Sequence, residues 1–80
     1  MHSLRILDPR EGDVLVEFEA PGVETKEAQE SRTEAKKVFD RIMSKKMTVI
    51  AIDKAHEGQR VTKFDPAIKE MVAIPQLVGG

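Results

Sequence analysis

Val14-Leu15-Val16-Glu17-Phe18-Glu19-Ala20-Pro21-Gly22 alternates and then stops. Val14, Val16 and Phe18 fall on one face and Leu15, Glu17 and Glu19 on the other, the two-residue period of a half-buried strand, and Pro21-Gly22 ends it. From Ser31 the period changes. Ala35, Val38, Phe39, Ile42 and Met43 recur three and four apart, which draws one apolar stripe along an amphipathic helix. A strand with one apolar face followed by a helix with one apolar stripe predicts a sheet and a helix that cover each other.

Upstream, residues 3–7 form a short apolar-rich run that predicts an antiparallel partner strand. Asp8-Pro9-Arg10-Glu11-Gly12-Asp13 supplies the proline and glycine of a hairpin loop longer than two residues. Two residues can cap the helix: Ser31 has capping-box spacing to Glu34, and Thr25 would start the helix earlier, through Ala28. Glu27, Glu30 and Glu34 lie toward its start and Lys45 and Lys46 at its end, complementing the helix dipole as a solvated face.

Downstream, residues 47–52 are almost entirely apolar and rich in β-branched types, which predicts a well-buried strand in the middle of the sheet. Residues 54–58 read as a turn and residues 59–64 as a return strand polar enough for an edge. Asp65-Pro66 offers a cap with proline at the first helical position, predicting a single helical turn through Lys69. Residues 71–74 are the closing strand. The fold class is therefore α+β: a mixed sheet of four to five strands with one main helix packed on one face. The domain occupies residues 1–74, and residues 75–80 form an extended tail.

Eighty residues make one domain, near the size at which a single core gives modest stability. With 40% apolar and 34% charged residues and a net charge of −1, the composition is that of a soluble globular protein. Nucleic acid is not an expected partner, because there is no basic excess to drive counterion release and only Phe18, Phe39 and Phe64 could stack on bases. There is no cysteine, so this chain has no thiol nucleophile, disulfide or thiolate metal site. No run approaches the roughly 20 apolar residues of a membrane span and no signal-peptide core is present, so no membrane partner is expected and a cytoplasmic location is.

Catalysis has little to stand on. His2 and His56 are the two histidines, one near a terminus and one in a turn, and a metal site would need them to meet. Glu17 and Glu19 read as polar surface, and Asp65 as a cap. The expectation is a chain that is not an enzyme, with no catalytic residue, no metal and no bound cofactor.

The tail is the other informative stretch: Ile74-Pro75-Gln76-Leu77-Val78-Gly79-Gly80. Glycine makes up about 7% of residues, so a terminal pair arises by chance in roughly 0.5% of chains. Together with the order strand, strand, helix, strand, strand, short turn, strand, this ending resembles the ubiquitin-like β-grasp superfamily. It looks most like the small subunit of molybdopterin synthase and the thiamine-pathway sulfur carrier, whose members end in an apolar strand, one or two prolines, two variable residues and Gly-Gly. Gln76 stands where the second proline often is. A ubiquitin-like protein of bacteria or their phages fits as well, and ubiquitin's arginine-containing tail is absent.

The resemblance implies a chain that is substrate rather than catalyst. A partner adenylating enzyme would recognise Pro75, Leu77, Val78 and Gly79, and the Gly80 carboxylate would attack ATP, the activating enzyme's cosubstrate, to give an acyl-adenylate for protein conjugation or sulfur transfer. The further partners implied are a target protein or a sulfur-accepting protein. The alternative is a non-covalent β-grasp interaction module, such as a phage structural, assembly or regulatory protein, that docks through the sheet face carrying Leu15; fold alone does not choose between them.

Overall fold

The hairpin that opens the chain is closed by local chemistry. In the computed structural model, which describes residues 1–10 and 12–76, β1 (His2–Asp8) pairs antiparallel with β2 (Gly12–Phe18), from His2 opposite Phe18 to Asp8 opposite Gly12. The Asp8 carboxylate accepts from the Arg10 N–H at 2.8 Å, and Gly12 takes φ +87°, a left-handed value that side-chain-bearing residues rarely adopt.

Of the two possible helix caps, Thr25 is used. Helix α1 spans Lys26–Ser44, with the Thr25 hydroxyl accepting from the Ala28 N–H at 3.1 Å, an arrangement worth about 1 kcal/mol. Ser31 lies inside the helix and ties two elements together. Its hydroxyl donates to the Ala28 carbonyl and accepts from the Glu19 N–H at 3.0 Å, fastening the helix to the chain just beyond β2. The helix closes with Lys46 at φ +60°, its N–H on the Met43 carbonyl and the Met47 N–H on the Ile42 carbonyl. Those are the two reverse bonds of a Schellman ending, with lysine where glycine is usual.

The remaining strands are β3 (Thr48–Ala51) and β4 (Glu70–Ile74), and the sheet order is β2-β1-β4-β3. β4 runs parallel to β1 and antiparallel to β3, so the last strand lies inside the sheet, bonded on both sides. This corrects the sequence expectation for residues 47–52. β3 lies at one end of the four-strand order, and its apolar character has another cause. Val49 and Ala51 enter the core, and the strand's outer edge is covered by residues 59–61 through bonds from Val61 N–H to the Val49 carbonyl and from Ala51 N–H to the Gln59 carbonyl, both 2.8 Å. The expected return strand over 59–64 reduces to a single bridge, Ile50 opposite Arg60.

Beyond that bridge the chain turns inward to bring Phe64 and Ile68 against the core. Phe64 stands edge-on to Phe18 and Phe39, with centroids 5.2 and 5.9 Å away, so one ring from this connection joins a β2 ring to a helix ring. Leu4, Ile6, Met71 and Ala73 complete the sheet side of the core. Ala28 and Ala35 on the helix are small enough to let it approach closely. Asp65 caps as expected, accepting from the Ala67 N–H at 2.9 Å, but what it caps is a tight turn closed by Ile68 N–H on the Asp65 carbonyl. The helical turn through Lys69 does not form, because the chain must straighten for Glu70 to pair opposite Ser3.

Asp53 was not singled out by sequence and organises the other long connection. Its side chain, 9% exposed, accepts from the Lys69 N–H at 2.8 Å and from the His56 N–H and Nδ1–H at 3.1 Å each, holding a 3-10 helix (Lys54–His56) against the entry to β4. The Lys69 N–H, then the His56 imidazole, hold its carboxyl below the ordinary value of 3.8 despite desolvation acting the other way. A depressed carboxyl contributes stability above its unfolded pKa and loses it as pH falls through the folded value. Asp53→Asn should therefore lower the melting temperature at neutral pH, and the gap from the parent chain should close as pH falls below about 3.8. A gap constant down to strongly acid pH would contradict this assignment.

Candidate functional site

β4 positions the tail. The strand is held on one flank by β1 and on the other by β3 up to Ile74 opposite Thr48, and Pro75, lacking an N–H, cannot extend the ladder. Pro75 and Gln76 are exposed and leave the sheet beside the hairpin residues Pro9 and Arg10 and the segment Lys45-Lys46-Met47. Of the tail residues singled out by sequence, Pro75 lies within the described residues; Leu77, Val78, Gly79 and Gly80 lie outside them.

The face of the sheet turned away from α1 follows from the register. Leu4, Ile6, Met71, Ala73, Val49 and Ala51 point to the core, so their neighbours point outward. One outward row crosses the whole sheet: Leu15 opposite Arg5, Arg5 opposite Val72, and Val72 opposite Ile50. Leu15 is 49% exposed. A second row, Glu17 opposite Ser3 and Ser3 opposite Glu70, is acidic and lies farther from the tail. Apolar surface beside an arginine, bordered by carboxylates, is a surface that a protein partner can cover without burying an unpaired charge, provided it supplies an acceptor for Arg5.

Arg5, Ile50 and Val72 were missed as members of this surface. Each sits in its own strand with an ordinary alternation, and only the cross-strand register, set by which strands become neighbours, places them with Leu15. Glu17 and Glu19, two apart in sequence, are separated by the end of β2: Glu17 stays on the outer face while the Glu19 backbone is tied to Ser31.

The histidines are used structurally and separately. The His2 Nδ1–H donates to the Pro66 carbonyl at 2.9 Å and its ring stands edge-on to Phe18, whereas His56 is engaged with Asp53. Among the described residues, no cluster of three or more histidine and carboxylate side chains is placed to hold a metal ion, and no helix is long and apolar enough to cross a membrane.

No family model matches the chain, and neither a curated protein nor a solved structure matches it.

Proposed function

We propose that this chain is a β-grasp carrier or modifier whose Gly80 carboxylate is adenylated by a partner enzyme and then passed to a sulfur or nitrogen nucleophile. The observation that carries the reading is the run Pro75-Gln76-Leu77-Val78-Gly79-Gly80 following directly on a strand that lies inside the sheet. Supporting it, the order β2-β1-β4-β3 with α1 on one face, β4 parallel to β1, and residues 59–61 flanking β3 is the arrangement expected of a β-grasp domain.

The mechanics of the sheet suit such a role. A tail drawn into another protein's active site pulls on its root, and here the root is bonded on both flanks, so the load is shared by two ladders rather than by a frayed edge. Six extended residues reach roughly 20 Å, enough to enter a buried site while the domain docks outside. The carboxylate oxygen of Gly80 attacks the α-phosphorus of ATP and pyrophosphate leaves; a partner thiolate then displaces AMP from the mixed anhydride to form a thioester, or a partner persulfide displaces AMP to form an acyl disulfide, whose S–S bond a second partner thiol cleaves, leaving a thiocarboxylate on Gly80 and a disulfide on the partner. Gly79 and Gly80 lack Cβ atoms, which lets the activating enzyme close around the acyl carbon. The test is removal of Gly79-Gly80, which should abolish activation and leave the fold intact.

A second reading, a non-covalent docking module, is favoured by the exposed Leu15 row. Leu15→Glu should weaken capture of a sheet-binding partner at least about tenfold while the melting temperature stays within a few degrees, since an anchor at the centre of an interface is worth about 1–2 kcal/mol or more. Unchanged affinity in a direct binding titration would remove Leu15 from the interface.

A further inference from the structure

The outer face of the sheet carries opposite charges at its two ends. At the β2 end, Asp13 and Glu17 stand two residues to either side of Leu15 on the same face, and both are exposed. At the other end, Arg60 lies opposite Ile50 in the bridge that flanks β3, so it shares the outer face with Ile50, and it too is exposed. The surface between them is mainly apolar. Val72 and Ile50 continue the Leu15 row, Leu7 and Ile74 lie to one side of it, and Ile52, 49% exposed, lies to the other. Among the described residues, Asp13, Glu17, Arg5 and Arg60 make no ion pair within 4.0 Å, whereas Lys36 and Lys37 find their partners within the helix.

A face built this way is complementary to itself. Turning a second copy by 180° about an axis that lies between the two faces and runs parallel to the strands lays the β2 end of each copy over the Arg60 end of the other. Each Arg60 then falls between Asp13 and Glu17 of the other copy, Val72 lies near the axis, and Leu15 and Ile50 are covered. Arg5 and Glu70, diagonal neighbours on β1 and β4, sit close to the axis, so the Glu70 of the other copy supplies the acceptor that Arg5 needs once the apolar row is covered. An axis perpendicular to the strands fails on charge, because it stacks Arg60 on Arg60 and Arg5 on Arg5.

We infer that the outer sheet face pairs two copies of this chain face to face, with Arg60 of each against Asp13 and Glu17 of the other. The strand and row spacings give this face a projected area of roughly 400 Å2 per copy, about half of the roughly 800 Å2 per partner in a standard interface. The dimer is therefore weak and reversible, with a Kd of roughly 0.1 mM. The inference rests on the second reading above in taking the Leu15 face as a docking surface, and it is independent of the chemistry at Gly80.

The test is sedimentation of the full chain from about 10 μM to about 1 mM, with amide spectra recorded over the same range. The weight-average mass should rise from 8.9 kDa toward twice that value, and the shifts that follow concentration should fall on Arg5, Leu15, Ile50, Arg60 and Val72 rather than on α1. Added salt should weaken association. Arg60→Glu alone, or the double variant Asp13→Lys, Glu17→Lys alone, should weaken it about tenfold or more, because a two-fold interface uses each contact twice and both variants turn attraction into repulsion. All three positions are exposed, so both proteins should keep dispersed spectra. An equimolar mixture of the two variants should associate within about threefold of the parent chain, since each then supplies the charge that the other lacks. The inference is overturned by a monomer mass throughout the range, by a dimer whose shifts lie on α1, or by a mixture no tighter than either variant alone. A chain that stays monomeric while Leu15→Glu still weakens capture of a different protein would overturn self-association and leave the docking surface in place.

Discussion

Phe18→Ala should cost the chain a large part of its stability. The side chain is completely buried, and its ring contacts His2 at 5.7 Å and Phe64 at 5.2 Å between centroids, so its removal opens a cavity among β1, β2 and the connection that delivers Phe64. Removing a buried phenylalanine costs about 3–5 kcal/mol. A domain of this length has roughly 4–12 kcal/mol in total, so the loss takes between about a quarter and all of it. The cost should sit near the top of its range, because the rings of Phe18, Phe64 and Phe39 form one chain and the middle ring loses a neighbour as well. Urea denaturation followed by circular dichroism is the check. Val14→Ala on the same strand is the control, expected to change stability by less than about 0.5 kcal/mol because that side chain is 45% exposed. A Phe18→Ala midpoint close to the parent chain's would mean that the core is organised differently.

The second large effect is functional. Deleting Gly79-Gly80 should remove every trace of acyl-adenylate formation and of covalent adducts, because the carboxylate left on Val78 would stand two residues short and beside a β-branched side chain. Stability should not change measurably. β4 ends at Ile74, and its ladders to β1 and β3 involve no residue beyond it. Pairing these two variants separates fold from function: Phe18→Ala should weaken both, and the tail deletion should abolish only the second.

Much of the architecture was legible because it rests on local signals. The period-two run 14–19, the three-and-four stripe through Ala35, Phe39 and Ile42, and the punctuation at Pro21-Gly22 each report a choice the backbone makes within a few residues. The Thr25 and Ser31 alternatives were also local, and the structure uses Thr25 as the cap while giving Ser31 a bond to Glu19 that no capping rule anticipates.

What was not legible depends on pairing at a distance. An apolar run such as 47–52 reads alike whether strands flank it or a strand and a loop do, so its composition alone puts β3 too far inside the sheet. Asp53 looks like one more turn aspartate in the sequence, and its bond to Lys69, sixteen residues away, cannot be read from spacing. The Leu15 row needed the register of all four strands. The tail is the reverse case. Its reading comes from sequence and from a resemblance, and the structure contributes the anchoring of its root.

Activation at Gly80 is put to the sharpest test by the intact mass of an N-terminally tagged form isolated from its source cells under denaturing conditions, beside the same form lacking Gly79-Gly80. A carrier or modifier should show either heavier covalent adducts or the mass gain of one sulfur-for-oxygen exchange, present in the parent chain and absent from the deletion. Recovery of the unmodified chain alone, under conditions in which the protein is functioning, would contradict it.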